Sequence, residues 1–166
     1  MIEIISLIIS VIALVTSVAV AVQQINIAKQ SNFLPILIDM FSEFRSPKFK
    51  RHLYYVTQRL SKEHNSKKGF QNLPEPARTH VITVSHFFDN LGVIVANKIV
   101  DEKLVISFMG ESIYSAWQAL EPFIKREREL RNSEYQEYFE DLVVRVKKNP
   151  PHIIRKQLGL QELTSS

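Results

Sequence analysis

Residues 4–22 (IISLIISVIALVTSVAVAV) run for nineteen positions without a charge, a proline or a glycine. No other feature constrains the fold as strongly, because a helix apolar on every face must be withdrawn from water all round. At ~1.5 Å rise per residue it would be about 28 Å long, close to the ~30 Å hydrocarbon core of a bilayer. A secretory signal wants a basic leader and an apolar stretch of about 7–15 residues. Here Glu3 precedes the run, no Lys or Arg does, and the run is longer, although Ala19-Val20-Ala21 resembles a cleavage site. A domain built from the remaining residues seldom needs a core helix apolar on every face. The expectation is one N-terminal transmembrane helix.

Basic residues follow the run: Lys29, then Arg45, Lys48, Lys50 and Arg51. Lys/Arg bias marks the side that stays in the cytoplasm. This predicts a membrane protein with its N-terminus outside and its C-terminal domain cytoplasmic. The absence of cysteine removes any disulfide framework. The expected organisation is a transmembrane helix and interfacial exit over 1–31, a helical domain over 32–149 and a tail over 150–166.

Beyond the run the periodicity is helical throughout, so the fold class is all-α: one transmembrane helix and a small cytoplasmic helical bundle. Pro35 is expected to break the first helix or start the next. Ser46-Pro47 reads as an N-cap with proline in the first turn, opening a helix to about Lys62 with Phe49, Leu53, Val56 and Leu60 on one face. Residues 63–75 read as a loop suited to disorder or binding. Residues 77–97 give the central helix, with Val81, Val84, Phe88, Leu91 and Val95 on one stripe. Asp101 caps a short helix that Gly110 ends; a second follows to about Arg131, kinked or split at Pro122. Ser133 is expected to cap the last long helix, with Gln136 completing a capping box. The predicted core includes Val84, Phe88, Leu91, Trp117, Phe139 and Leu142.

Two sets of residues stand out as sites. Ser6, Ser10, Ala13, Ser17, Ala21 and Gln24 make a small and polar stripe along the apolar run. In a bilayer such a stripe allows close helix approach. This points to a homo-oligomer or a membrane-protein partner. The second set is basic. From Arg45 to Arg78 nine Lys/Arg face only Glu63 and Glu75, whereas eight carboxylates meet four basic residues from Glu111 to Asp141. Lys48, Lys50, Arg51, Lys62, Lys67 and Lys68 are the expected contacts to lipid headgroups or phosphate. They are read as lacking the interleaved aromatics of a nucleic-acid platform, which disfavours nucleic acid and nucleotides as partners.

Signs of an enzyme are weak. Four dispersed glycines make no phosphate loop of the Walker or dinucleotide type. No His pair is spaced i, i+4, and no cysteine could assist the five histidines as metal ligands. No cofactor is expected. The acidic residues 121–141 interleave with Lys125, Arg126, Arg128 and Arg131 as in a salt-bridged, solvated face.

Phe88-Asp89-Asn90-Leu91-Gly92, Ile99-Val100-Asp101 with Leu104-Val105, Trp117, Pro122, the Arg126/Arg128/Arg131 cluster, and Tyr138-Phe139 with Leu142 together resemble a bacterial family, the domain of unknown function 4760. The resemblance implies a membrane helix followed by a helical domain. It is carried by core and turn residues and implies no reaction. The functional expectation is an anchored, self-associating interaction or regulatory protein rather than an enzyme, whose cytoplasmic domain binds a partner or signal. The alternatives are a membrane-permeabilising defence or toxin-type effector and an enzyme of unrecognised class.

Overall fold

The computed structural model describes residues 2–160, with the side chains of 2, 5, 8, 25–34 and 68 left aside. All regular elements among them are helical: α1 (Ile2–Arg45), α2 (Pro47–Gln58), α3 (Leu60–Glu63), a 3-10 turn (Ser66–Lys68), α4 (Ala77–Ala96), α5 (Glu102–Arg131), α6 (Glu137–Lys148) and α7 (Pro151–Gln157). The chain divides into two compact units, Met1–Met40 and Phe41–Ser166.

The all-α expectation holds, but its transmembrane part does not. Among the described residues no helix is long and apolar enough to cross a membrane. The apolar run carries the polar residues Ser6, Ser10, Thr16 and Ser17, and Gln23 and Gln24 follow it directly on α1. The expected arrangement of one span and a cytoplasmic bundle therefore reduces to its helical architecture.

In the second unit α4 is central, and it packs most extensively on α6 and α2. Val81, Val84, Phe88 and Leu91 are fully buried, as are Ile113, Leu120 and Ile124 of α5 and Phe139 and Leu142 of α6. Phe88 stacks on Phe139 at 5.3 Å, and Trp117 meets the same ring edge-on at 5.2 Å.

The motif 88–92 is a brace between α4 and α6. A Cβ at Gly92 would overlap the Tyr138 carbonyl oxygen, so only glycine lets the two backbones approach this closely. One turn earlier, Asp89 Oδ1 accepts the Phe139 backbone N–H at 3.0 Å. The first turn of α6 is thus capped from a neighbouring helix. Ser133 and Gln136 do not form the expected box: α6 begins at Glu137, and Gln136 precedes it with φ 63° and no side-chain cap bond.

Three expected breaks are absent. Gly110 lies inside α5, where a Cβ would meet Pro151 Cγ at 2.6 Å. Its small size admits the start of α7 and does not end a helix. Pro122 is also inside α5, and Pro35 inside α1. Pro122 supplies no N–H to the Gln118 carbonyl four residues earlier. Both residues border an open groove of about 800 Å³, where water can satisfy that carbonyl.

Candidate functional site

The side chains able to do chemistry gather on α2, α3 and the start of α4. Ser46 Oγ accepts the Phe49 N–H at 3.1 Å and fixes the start of α2. The 3.6-residue repeat then buries Phe49, Leu53 and Val56. Lys50, Arg51, Tyr54 and Gln58 are left exposed on the opposite side. His52 and Tyr55 fall at the flank, where α4 brings in His80.

His52 Nδ1 and His80 Nδ1 lie 2.9 Å apart. Two N–H groups cannot face each other at that distance, so one nitrogen donates and the other accepts, and at least one ring is neutral. Burial depresses both pKa values, helped for His52 by His80, Lys48 and Arg51 and for His80 by Arg59, while Glu75 opposes it at His80. Tyr55 stacks on His80 with ring centroids 4.4 Å apart. Its hydroxyl donates to Glu63 Oε2 at 2.9 Å and lies 3.0 Å from His64 Nε2. With the only phenolic hydrogen committed to Glu63, His64 must donate from Nε2. Burial and the Glu63 carboxylate raise the Tyr55 pKa. The bonds from Tyr55 and Arg59 in turn hold Glu63 below the ordinary carboxylate range.

Lys50, Arg51, Tyr54, Tyr55, Arg59 and His80 border a depression of about 530 Å³. Arg59 is paired with Glu63 at 2.6 Å. Among the described residues neither Lys50 nor Arg51 has a carboxylate partner. Lys50 Nζ sits 3.8 Å from the centre of the Phe44 ring. Burial and nearby Arg45 hold its ammonium below the ordinary lysine range.

The six basic residues expected to contact phosphate are thus divided. Lys50 and Arg51 share the depression; Lys48 is exposed beside it on α2; Lys62 lines the 800 Å³ groove with Glu63 and His64. Lys67 is exposed, and its carbonyl accepts from Arg126 Nε at 3.0 Å. The Lys68 side chain lies outside the described ones. Sequence reasoning misses Tyr54, Tyr55 and His80, although Tyr54 and Tyr55 stand between Arg51 and Arg59. The expectation that aromatics are not interleaved with this charge is corrected by their position.

Ser6, Ser10, Ala13, Ser17, Ala21 and Gln24 are exposed along α1. Ser10 Oγ donates to the Ser6 carbonyl at 2.9 Å, within its own helix. A membrane-helix interface along them would need a span, which no helix supplies among the described residues.

The carboxylates of 121–141 are largely ion-paired, as in Lys125–Glu121, Arg126–Glu129, Arg128–Glu140 and Arg145–Asp141. Glu127 differs, being 1% exposed. Its Oε1 accepts the N–H groups of Phe70 at 2.5 Å and Gln71 at 3.1 Å, and Oε2 accepts from Arg131 at 2.7 Å. Burial works to raise its pKa, but Arg131 and the two N–H groups outweigh that and lower it. The segment 69–71 is therefore clamped to α5. No group of three or more His, Asp or Glu is placed to hold a metal ion among the described residues.

No curated protein and no solved structure matches the chain. Residues 2–146 do match a known family, described as Domain of unknown function (DUF4760), and over that length the match is decisive: the chain belongs to this family.

Proposed function

We propose that this protein is a helical binding module whose second unit recognises an anionic partner or signal through the outward face of α2. The observation that carries this reading is the charge of Lys50 and Arg51, which have no carboxylate partner among the described residues, beside a depression of about 530 Å³. Most arginines of the second unit are ion-paired: Arg59, Arg78, Arg126, Arg128, Arg131, Arg145 and Arg155 each meet a carboxylate, and Arg51 does not among the described residues. A cation without a carboxylate partner, set beside a concavity, favours phosphate or carboxylate ligands, and Arg51 adds a planar fork that can bind two oxygens at once. The same scaffold makes a regulatory role natural, since occupancy of α2 bears on the His52–His80 contact between α2 and α4.

Inorganic polyphosphate is a suitable probe, titrated into the full-length protein at several salt concentrations. Binding should weaken linearly on a log–log plot. The double variant Lys50→Gln/Arg51→Gln should reduce that slope by about two, roughly one for each cation removed from the phosphates. An unchanged affinity and slope would refute the assignment.

A further inference from the structure

We infer that the α2 depression takes a nucleotide, with its phosphates on Arg51 and Lys50 and its base on the ring of Tyr54. The inference rests on the anion-binding reading above and adds the ligand's class.

Tyr54 is 63% exposed, whereas Tyr55, one position on, is 8% exposed. Tyr54 follows Arg51 by three positions and Lys50 by four, so on a helix these side chains are surface neighbours about 5–6 Å apart at Cβ. One flat, solvated ring thus adjoins two cations that lack carboxylate partners among the described residues. A ligand satisfying both features carries an anion and a planar aromatic system within a few ångströms of each other. A nucleotide has that composition, and base stacking on an aromatic side chain tolerates any base. At about 530 Å³ the depression falls within the size range of small-molecule sites.

Two neighbouring groups extend the fit. His80 has its Nδ1 committed to His52, leaving Nε2 for a sugar hydroxyl or a phosphate oxygen. Arg59, neutralised by Glu63, lies 5.5 Å from the Tyr55 ring and completes the rim of the depression from a fixed position. A bare anion or a lipid headgroup would leave the Tyr54 ring uncovered. A phosphoserine or phosphothreonine peptide could occupy the cations but would bring no planar group to the Tyr54 ring. With one exposed ring, the site accommodates a single base and does not form a track for a strand.

The test uses calorimetric titration of the full-length protein with five probes: ADP, pyrophosphate, adenosine, a ten-residue oligodeoxyadenylate and a phosphotyrosine peptide. ADP should bind at least ten-fold more tightly than either pyrophosphate or adenosine. Tyr54→Ala should lose about ten-fold for ADP and leave pyrophosphate unchanged, whereas Arg51→Gln should weaken both. Tyr54 is exposed, so Tyr54→Ala should keep the wild-type Trp117 emission, and Tyr54→Phe should restore ADP binding. Tighter binding per site of the oligonucleotide than of ADP, with the same Tyr54 dependence, would identify the nucleotide as part of a strand. Equal affinities for ADP and pyrophosphate, indifferent to Tyr54, would overturn the nucleotide inference while the anion site stands. Tighter binding of a phosphotyrosine peptide than of ADP would overturn it in favour of a protein ligand. Failure of ADP, pyrophosphate and polyphosphate alike would overturn both readings.

Discussion

Glu127 offers the sharpest test of how this helical unit is held together. Replacing it with alanine removes the acceptor of the Phe70 and Gln71 N–H groups and the partner of Arg131. Phe70 is 1% exposed, so its N–H is cut off from water, and an orphaned buried donor costs about 1–3 kcal/mol. Gln71 and Arg131 are exposed and can be rehydrated, which makes their share smaller. Losing the packed methylenes adds about 1 kcal/mol. Together Glu127→Ala should destabilise the second unit by about 3 kcal/mol. Glu127→Gln keeps an acceptor for the two N–H groups but loses the charge, and should cost about half as much. Urea unfolding followed by Trp117 fluorescence reports on this unit alone, which matters because the chain has two compact units. A carboxylate whose folded pKa is lowered contributes stability above its unfolded value, near 4.5 for Glu127, and loses it as pH falls through the folded value. The wild type should therefore weaken below about pH 4.5 more steeply than Glu127→Gln. A cost under ~1 kcal/mol for the alanine variant, or identical acid profiles, would refute the clamp.

Three further outcomes follow from the geometry. Gly92→Ala pushes a methyl group into the Tyr138 carbonyl and should cost about 2–3 kcal/mol in urea unfolding. Asp89→Ala uncaps α6 and should cost about 1 kcal/mol, with faster amide exchange at Phe139 than elsewhere in the helix. His52 and His80 have lowered pKa values, so their contribution is complete above the unfolded value near 6.5 and is lost as pH falls below it; His80→Gln should flatten the change in Tm between about pH 7.5 and 5.5.

Much of the scaffold was legible because burial imposes a period on the chain. Val84, Phe88, Leu91, Trp117, Phe139 and Leu142 were all expected in the core, and all are buried. The errors arose where a residue type has two uses. Gly110 and Pro122 read as helix breakers, yet α5 runs through both: one is small to admit Pro151, the other faces an open groove. Ser133 and Gln136 carry the letters of a capping box, but the cap comes from Asp89, fifty residues away in sequence. Glu127 looked like one more member of a charged face because its two N–H partners come from a distant segment. In the apolar run, composition alone suggested a span that the described helix does not supply.

The same distinction decides where function can be sought. Asp89 and Gly92 join α4 to α6, Asp101 caps α5 through the Lys103 N–H, and Arg126, Arg128 and Arg131 tie the segments near Lys67 and Tyr135 to α5. The residues that carry the family resemblance over 88–142 thus act largely within the scaffold. They account for how α4, α5 and α6 are joined and impose nothing on what the protein binds. The α2 face has the converse character. Tyr54 is exposed, Arg51 has no carboxylate partner among the described residues, and holding α2 in place falls to Phe49, Leu53 and Val56 on its other side. A helix whose buried face fixes it, and whose outward face carries charge the fold leaves unneutralised, can change its ligand without changing its fold. On the proposed reading, recognition falls to positions 50, 51 and 54, whereas stability rests on 88–142.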